Sequence, residues 1–393
     1  MFKKIVCNLC SLITLGTCLT SCMQNGKELE TITIDIENHC YVSLDNIIEK
    51  VDFIRLETTE NNLIGNVSHL LFTKDRIIVV DQLASNAIYV FDFNGKFMNR
   101  ISHLGNGPHE YLDITDVDVT PSGLVVIKDN VKDKLLFFET DGKFVKERKD
   151  IEAGVDLVFI DDHSIAFDCF TSHIPTKEKF KSASLAVCDG DNNIKYLFGK
   201  NIAEENVFNF RRPECLYRYG NKAYFAPHWD KGIYEIKNDS IIAKYHIEFK
   251  PDDVLNYTFT TNNELDDLME KHPYFNGSFI EMEDYTWLSY HSKEEVTPNI
   301  LYSHIDKKTY SIYNEFNNPL YIYLQKPMAL YKNNTVAEVV PAPYVFMNQF
   351  SLSEDMKQEE ITNKLYQELT IDDNPIIFLF TIKDDIGKYV IEE

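Results

Sequence analysis

The stretch Pro-His-Trp-Asp places Trp229, one of only two tryptophans in the chain, between His228 and Asp230. An indole face beside a carboxylate suits a sugar ring, because apolar stacking combines there with a few directed hydrogen bonds. Arg211 and Arg212 concentrate positive charge in an otherwise acidic protein, and a guanidinium group pairs well with an acidic ligand. These residues predict a binding surface for a carbohydrate, including an acidic glycan.

Three further residues in predicted loops complete this candidate surface: Tyr290, His291 and Tyr344. The alternative for each is core packing, since aromatic residues make up 13% of the chain. The chain contains no G-x-S-x-G or H-E-x-x-H motif, so we expect a binding protein without a cofactor rather than an enzyme. The alternative is a hydrolase or lyase that uses histidines and acids, with His173, His228 and His291 as candidate metal ligands.

The stretch His103–Asp113 contains Gly105 and Gly107 and superficially matches a phosphate-binding glycine loop. A dinucleotide loop needs a helix after it, whose N-terminus holds the phosphate charge. The segment that follows these glycines, Asp-Ile-Thr-Asp-Val-Asp-Val-Thr, reads instead as a strand. We therefore interpret the glycines as backbone-shaping residues in a crossover that Glu110 and Tyr111 hold in place.

An internal repeat indicates the architecture that carries these loops. Ile88–Asp92 aligns with Leu135–Glu139, and Asn94–Phe97 aligns with Asp141–Phe144, at an offset of 47 residues. Each unit holds β-branched and aromatic runs of strand length, and its Asn-Gly or Asp-Gly pair predicts a hairpin with a tight primed turn. Four-stranded units at this period are typical of propeller blades.

The repeat predicts an all-β, six-bladed β-propeller. Its first five blades are expected at residues 67–101, 113–148, 155–198, 215–247 and 278–313. The sixth blade lacks an outer strand, and Val51–Glu57 supplies it, so that N- and C-terminal strands close the ring and hide two edges. The alternative is two unrelated β domains. Residues 260–272 and 353–369 have apolar residues at helical spacing and predict two short helical insertions, packed on the ring or available to a partner.

The N-terminus has the features of an export signal. Lys3 and Lys4 precede an apolar run too short to span a bilayer, and Leu19–Cys22 resembles the lipobox of bacterial lipoproteins. In that family the signal is cut before the cysteine, which receives the lipid, so we expect a lipid on Cys22. Leu15–Cys18 is a weaker alternative because Thr17 is bulkier, and an ordinary secretory signal is another. The resulting divisions are a signal peptide at 1–21, a tether and leading strand at 22–45, and the propeller at 46–393.

Charge and cysteine content limit the environment and the partners. The formal net charge of −23 repels nucleic acid and anionic headgroups, so the lipid is the expected attachment to the membrane. Besides the lipidated Cys22, Cys40, Cys169, Cys188 and Cys215 remain after signal removal, and either disulfides or buried free thiols are compatible with their spacing.

The chain resembles the lipid-anchored six-bladed propellers related to NHL-repeat proteins. The resemblance rests on Leu56–Gly65, the hairpin at residues 90–97, the link at residues 105–111 and the late strand at residues 374–383. It implies export and the propeller fold but no assigned activity. We expect a monomer on the outer membrane, facing the periplasm or the medium, that binds a glycan, a peptide or an envelope protein.

Overall fold

Six small sheets, each built around four antiparallel strands, form the body of the protein, as the repeat predicts. The computed structural model describes residues 29–149, 154–169, 180, 183–199, 214–227, 230–251, 261–293, 298–313, 317–353 and 359–391. Each of the six main apolar clusters joins two neighbouring sheets, and one of them joins the last sheet to the first. The sheets therefore form a closed ring, which is a six-bladed β-propeller.

The first three blades each contain four strands, numbered from the channel outwards. Blade 1 contains β4 to β7 at His69–Phe72, Ile77–Asp81, Ala87–Phe91 and Phe97–Ile101. Blade 2 contains β8 to β11 at Asp116–Val119, Val125–Asp129, Lys134–Phe138 and Phe144–Lys149. Blade 3 contains β12 to β15 at Leu157–Phe159, Ile165–Asp168, Leu185–Cys188 and Ile194–Phe198.

The remaining blades recruit strands from the N-terminal segment. Blade 4 contains β16 to β19 at Leu216–Tyr219, Lys222–Phe225, Gly232–Ile236 and Ile241–Lys250. Blade 5 contains β20 to β23 at Tyr274–Glu281, Tyr285–His291, Asn299–Ser303 and Thr309–Tyr313. Blade 6 contains β24 to β26 at Ala329–Lys332, Thr335–Val340 and Ile376–Ile382. Its outer strand is β3, at Ile48–Arg55.

The ring closes as the sequence predicts. β3 pairs antiparallel with β26, from Arg55 opposite Ile376 to Ile48 opposite Ile382. The predicted strand, Val51–Glu57, is displaced by a few residues from the observed one. Because the first and last segments share one sheet, β3 covers the edge of β26 that would otherwise be unpaired.

Two short strands precede β3 and extend the neighbouring blades. β1, at Glu30–Asp35, runs parallel to β19 on the outer edge of blade 4. β2, at Tyr41–Ser43, runs parallel to β23 on blade 5. Part of the segment expected as a tether and leading strand is therefore paired with the ring.

The helices lie between strands. α1 spans Leu44–Ile47, α2 spans Asn262–Lys271, α3 spans Ala342–Asn348 and α4 spans Glu360–Tyr366. Thr261 caps α2, as predicted, by accepting a hydrogen bond from the amide of Glu264 at 3.3 Å. α4 lies within the second predicted insertion and buries Leu365 against blade 6. No helix among the described residues has the length and apolar character needed to cross a membrane.

The repeated hairpins have a different turn from the predicted one. In the first, Gly95 has φ of +81° and donates a hydrogen bond to the carbonyl of Asp92 at 3.0 Å. The strand register then shifts between Val90 and Phe91. The prediction of a tight primed turn is therefore wrong. The observed turn has four residues, with a single glycine in the left-handed region, and a bulge follows it.

The glycine-rich crossover forms no phosphate site. It leads into β8, and Glu110 accepts the amide of Gly107 through Oε2 at 2.6 Å. Tyr111 is fully buried and donates its hydroxyl to the carbonyl of Asn86 at 2.9 Å. The interpretation of the crossover as a backbone-shaping link held by Glu110 and Tyr111 is confirmed.

Candidate functional site

The inner strands of blades 1 to 4 begin at one face of the ring, which we call the channel mouth. His69 and Asp116 are the first residues of β4 and β8. Asp156 immediately precedes β12, and Glu214 lies two residues before β16. These four residues, the mouth cluster, come from four successive blades, so the closed ring is what brings their side chains together.

The imidazole of His69 bridges the mouth cluster. Its Nε2 lies 2.7 Å from Glu214 Oε1 and 3.4 Å from Asp116 Oδ1. The side chains of His69 and Asp116 are 13% and 8% exposed, whereas Glu214 is 45% exposed. One face of the cluster is therefore buried between blades, and the Glu214 side remains accessible from the mouth.

The charges of the cluster shift the acidity of the His69–Glu214 pair in opposite directions. Burial alone would lower the pKa of His69, but the charge and hydrogen bond of Glu214, with the charge of Asp116, raise it to about 9. Burial alone would raise the pKa of Glu214, but the charge of His69 gives a net decrease. At neutral pH this pair is an imidazolium ion beside a carboxylate.

The other two carboxyl groups retain protons more readily. Burial raises the pKa of Asp116 to about 7, with the charge of His69 acting against the shift and that of Glu214 adding to it. Burial and the charges of Asp116, Asp168 and Glu214 raise the pKa of Asp156 well above its ordinary range. The mouth cluster thus contains proton donors and acceptors within one small volume.

A second pair of charges lies one layer deeper along the same strands. Arg218 of β16 contacts Asp118 of β8 at 2.9 Å, and both side chains are largely buried. Arg218 also donates to the carbonyl oxygen of Phe159 in β12. This pair joins blades 2, 3 and 4 beneath the mouth, where opposite charges are matched one to one.

Two groups next to the mouth cluster add further donor atoms. Asp168 ends β13, and Cys215 follows Glu214. One donor atom each from Asp156, Asp168 and Cys215 lie within 4.8 Å of one another. The four cysteines of the described residues, Cys40, Cys169, Cys188 and Cys215, are free thiols, and Cys215 is 2% exposed.

Most of the residues proposed from the sequence cannot be compared with this site. Arg211, Arg212, His228, Trp229 and the lipidation residue Cys22 lie outside the described residues, as does His173. Asp230 is described: it accepts hydrogen bonds from the amide of Gly232 at 2.7 Å and the hydroxyl of Tyr234 at 3.2 Å. Its carboxylate therefore stabilises the start of β18.

The remaining proposed residues lie in three different settings. Tyr290 is 2% exposed and packs on Phe249 between blades 4 and 5, so it is a core residue. His291 ends β21 and stacks on Tyr274, with ring centroids 4.8 Å apart. Tyr344 is 48% exposed, but it lies in α3 rather than in a loop. None of these three contacts the mouth cluster through an interaction that the structure describes.

The search for sequence motifs did not find the mouth cluster, although the repeat contains acidic residues at equivalent positions that indicate it. An acidic residue occurs at the first position of β8 and just before β12 and β16 in successive blades, at Asp116, Asp156 and Glu214. Strand-for-strand alignment of these blades would have placed the three carboxyl groups at the same end of the channel. The position of His69, at the start of β4, follows from the same alignment.

A separate open cleft of about 490 Å³ lies at the opposite face, between blades 5 and 6. Glu283, Asp284, Lys332 and Asn334 line part of it. Asn334 donates a hydrogen bond from Nδ2 to Asp284 Oδ2 at 2.6 Å. The mouth cluster is the stronger candidate because its charges are buried and mutually perturbed.

The fold and this site define a six-bladed β-propeller with a histidine–carboxyl cluster at the channel mouth. The chain belongs to the family described as a domain of unknown function, DUF4934, which matches residues 29–381. No curated protein matches it.

Two solved structures have a similar fold. A "Putative exported protein" from Bacteroides fragilis NCTC 9343 matches with a TM-score of 0.70 and 19% identity, over 91% of this chain and 100% of that chain. A DUF4221 family member from Bacteroides vulgatus ATCC 8482 matches with a TM-score of 0.52 and 12% identity, over 86% of this chain and 99% of that chain. At these identities the similarity extends to the fold alone.

Proposed function

We propose that this protein is an exported binding module that takes a carbohydrate or peptide at the channel mouth. The carboxyl groups of Asp156 and Glu214, which are less buried than Asp116, are complementary to hydroxyl and ammonium groups of such a ligand. Sugars and peptides carry these groups, and the rigid ends of the inner strands hold the acceptors in place. The predicted aromatic and arginine residues Trp229, Arg211 and Arg212 would supply further contacts.

The contact that carries this proposal is the bridge from His69 to Glu214 at 2.7 Å. Buried ionisable groups cost stability unless they are paired, and clusters with perturbed acidity are concentrated at functional sites. Here the carboxylate of Glu214 is 45% exposed, while the side chains of His69 and Asp116 are buried. Such an arrangement leaves acceptor oxygens accessible to a ligand from the mouth.

A glycan array and a peptide library screened with the purified chain test this function. We expect Glu214→Gln to weaken binding of a selected ligand by tenfold or more, because the exposed carboxylate is lost. Glu147→Gln is the matched control, since Glu147 is a partly exposed glutamate on the outer strand β11 and should leave affinity unchanged. If no ligand is selected, or if both variants weaken binding equally, the proposal fails.

Proton transfer is the second candidate function, and Asp116 beside His69 favours it. A carboxyl group with a pKa of about 7 can act as either acid or base near neutral pH. An enzyme would convert the bound ligand, and Asp116→Asn should abolish turnover while largely preserving affinity. Chromatography of a selected ligand after incubation separates the two functions. A new product indicates an enzyme, whereas an unchanged ligand indicates a binding protein.

We also propose that the protein is a lipoprotein of the outer membrane, anchored through Cys22, and that its fold is related to NHL-repeat proteins. The lipobox-like sequence before Cys22 supports the anchor, and a fold relative named as an exported protein is consistent with it. Cys22→Ser should move the protein from the membrane fraction to the aqueous fraction of cells, while Cys40→Ser should not. Equal membrane retention of both variants would contradict the anchor.

A further inference from the structure

Asp156, Asp168 and Cys215 bring three metal-ligating groups together at the channel mouth. One donor atom from each lies within 4.8 Å of the other two. Asp156 Oδ2 is 3.8 Å from Cys215 Sγ and also accepts the amide of Cys215 at 3.3 Å. Two carboxylate oxygens and a thiolate are a ligand set that leaves a fourth, open position on a tetrahedral ion.

The backbone holds these groups in fixed positions. The amide of Asp168 donates to the carbonyl of Asp156 at 3.2 Å, which joins the entrance of β12 to the end of β13. Gly154 packs directly against the carbonyl of Asp168, where a side chain would not fit. Cys215 is fixed to blade 4, since its carbonyl accepts the amide of Ala226 at 2.9 Å. The donor atoms therefore lie on strand ends rather than on long loops.

The charge balance around this site also suits a cation. Asp116, Asp156, Asp168 and Glu214 place four carboxyl groups around the mouth. Against these four carboxyl groups, His69 contacts Asp116 and Glu214, the fully buried Lys128 lies opposite Asp116 on β9, and Arg218 pairs with Asp118 one layer deeper. A divalent ion beside Asp156 and Asp168 would offset their mutual repulsion.

We propose that Asp156, Asp168 and Cys215 bind a zinc ion at the channel mouth. The thiolate selects zinc over magnesium and calcium, which prefer oxygen ligands alone. Binding releases the Cys215 proton, because the thiolate is the ligand. This inference rests on the proposed function and deepens it: a hydroxyl or carbonyl oxygen of the ligand would occupy the ion's open position.

Cobalt(II) is the appropriate probe because a cobalt–thiolate bond gives a charge-transfer band in the near ultraviolet. The full purified chain, freed of metal with a chelator, should bind one equivalent of cobalt(II) with this band, and zinc should displace it. Cys215→Ser should remove the band and weaken metal affinity by tenfold or more. Cys188→Ser is the matched control, since Cys188 is a buried thiol of blade 3 outside the donor group, and it should keep the band.

Three results would overturn the site: no stoichiometric binding, binding without a thiolate band, or a band that persists in Cys215→Ser. If Cys215→Ser does not fold by circular dichroism, Asp168→Asn provides the second variant, which should keep the band and weaken affinity. Ligand binding measured with and without metal separates the two proposals. Glu214-dependent ligand binding without cobalt binding refutes the zinc site alone, and cobalt binding in a chain that selects no ligand refutes the binding function alone.

Discussion

Asp116 and Asp118 lie two residues apart on β8 and perform the same task for the backbone. Each carboxylate accepts the amide of the next residue in its own strand at 2.7 Å. Each also accepts an amide of blade 3, with Leu157 donating to Asp116 at 2.6 Å and Phe159 donating to Asp118 at 2.7 Å. Both residues therefore join the inner strands of blades 2 and 3.

Their charged partners differ. Asp118 has one guanidinium partner, Arg218, at 2.9 Å, so its negative charge is balanced. Asp116 shares His69 with Glu214 and lies near the carboxyl group of Asp156. The deeper layer is thus a paired structural contact, whereas the mouth layer carries an excess of acidic groups over cations.

Arg218→Leu should produce the largest effect, because it leaves Asp118 buried without its cation. Loss of one partner of a buried pair costs about 3–5 kcal/mol, so the free energy of unfolding should fall by that amount. Urea unfolding measures it. Lys50→Leu is the control, since Lys50 and Asp52 form an exposed pair worth less than about 1 kcal/mol. A loss in Arg218→Leu no larger than that of the control would refute the structural role of the deeper layer.

The pH dependence of stability should show the next largest effect. The pKa of His69 rises from 6.5 to about 9 in the folded protein, so its contribution is complete below pH 6.5 and disappears as the pH rises through 9. At about 1.4 kcal/mol per pKa unit, the contribution of His69 that disappears across this window is about 3 kcal/mol. Unfolding measured from pH 6 to pH 10 tests it, and His69→Gln should lack this part of the loss. Equal losses in the wild type and in His69→Gln would contradict the bridge.

The smallest expected effect is the difference in the free energy of unfolding between Asp116→Asn and Asp118→Asn. At pH 7 we expect Asp118→Asn to cost about 1–2 kcal/mol more, because it removes the partner of Arg218. Asp116→Asn also loses an amide acceptor, but it removes a carboxyl group whose raised pKa makes ionisation in the folded state unfavourable. Parallel unfolding curves at pH 5 and pH 7 measure the difference. Equal costs at pH 7 would mean that the two layers do not differ.

The repeat was sufficient to predict the ring, because apolar strands of fixed length at a fixed spacing leave few other ways to bury both faces of each sheet. The closing strand was also predictable, since the sixth blade lacked a partner and Val51–Glu57 was the free strand. The turn type was not, because Asn-Gly is compatible with more than one hairpin geometry and the bulge between Val90 and Phe91 depends on strand twist. We predicted a loop position for Tyr290, but the strand β21 extends to His291 and includes Tyr290.

The mouth cluster could not be found by motif searching, because its members are separated by tens of residues and meet only through ring closure. His69 and Glu214 are 145 positions apart in the sequence, yet their side chains lie at 2.7 Å. Comparing equivalent positions of successive blades would have revealed the acids but not their shared histidine contact. Alignment of the repeats is therefore more informative in this fold than a search for local motifs.

The parallel pairing of β1 with β19 has a mechanical consequence. Six residues of β1, from Glu30 to Asp35, pair in register with Tyr245 to Lys250. Tension applied along β1 at its N-terminal end loads these hydrogen bonds in shear, so several must break together rather than one after another. A ring held through this end would resist being pulled from its support far better than one attached by a strand that peels.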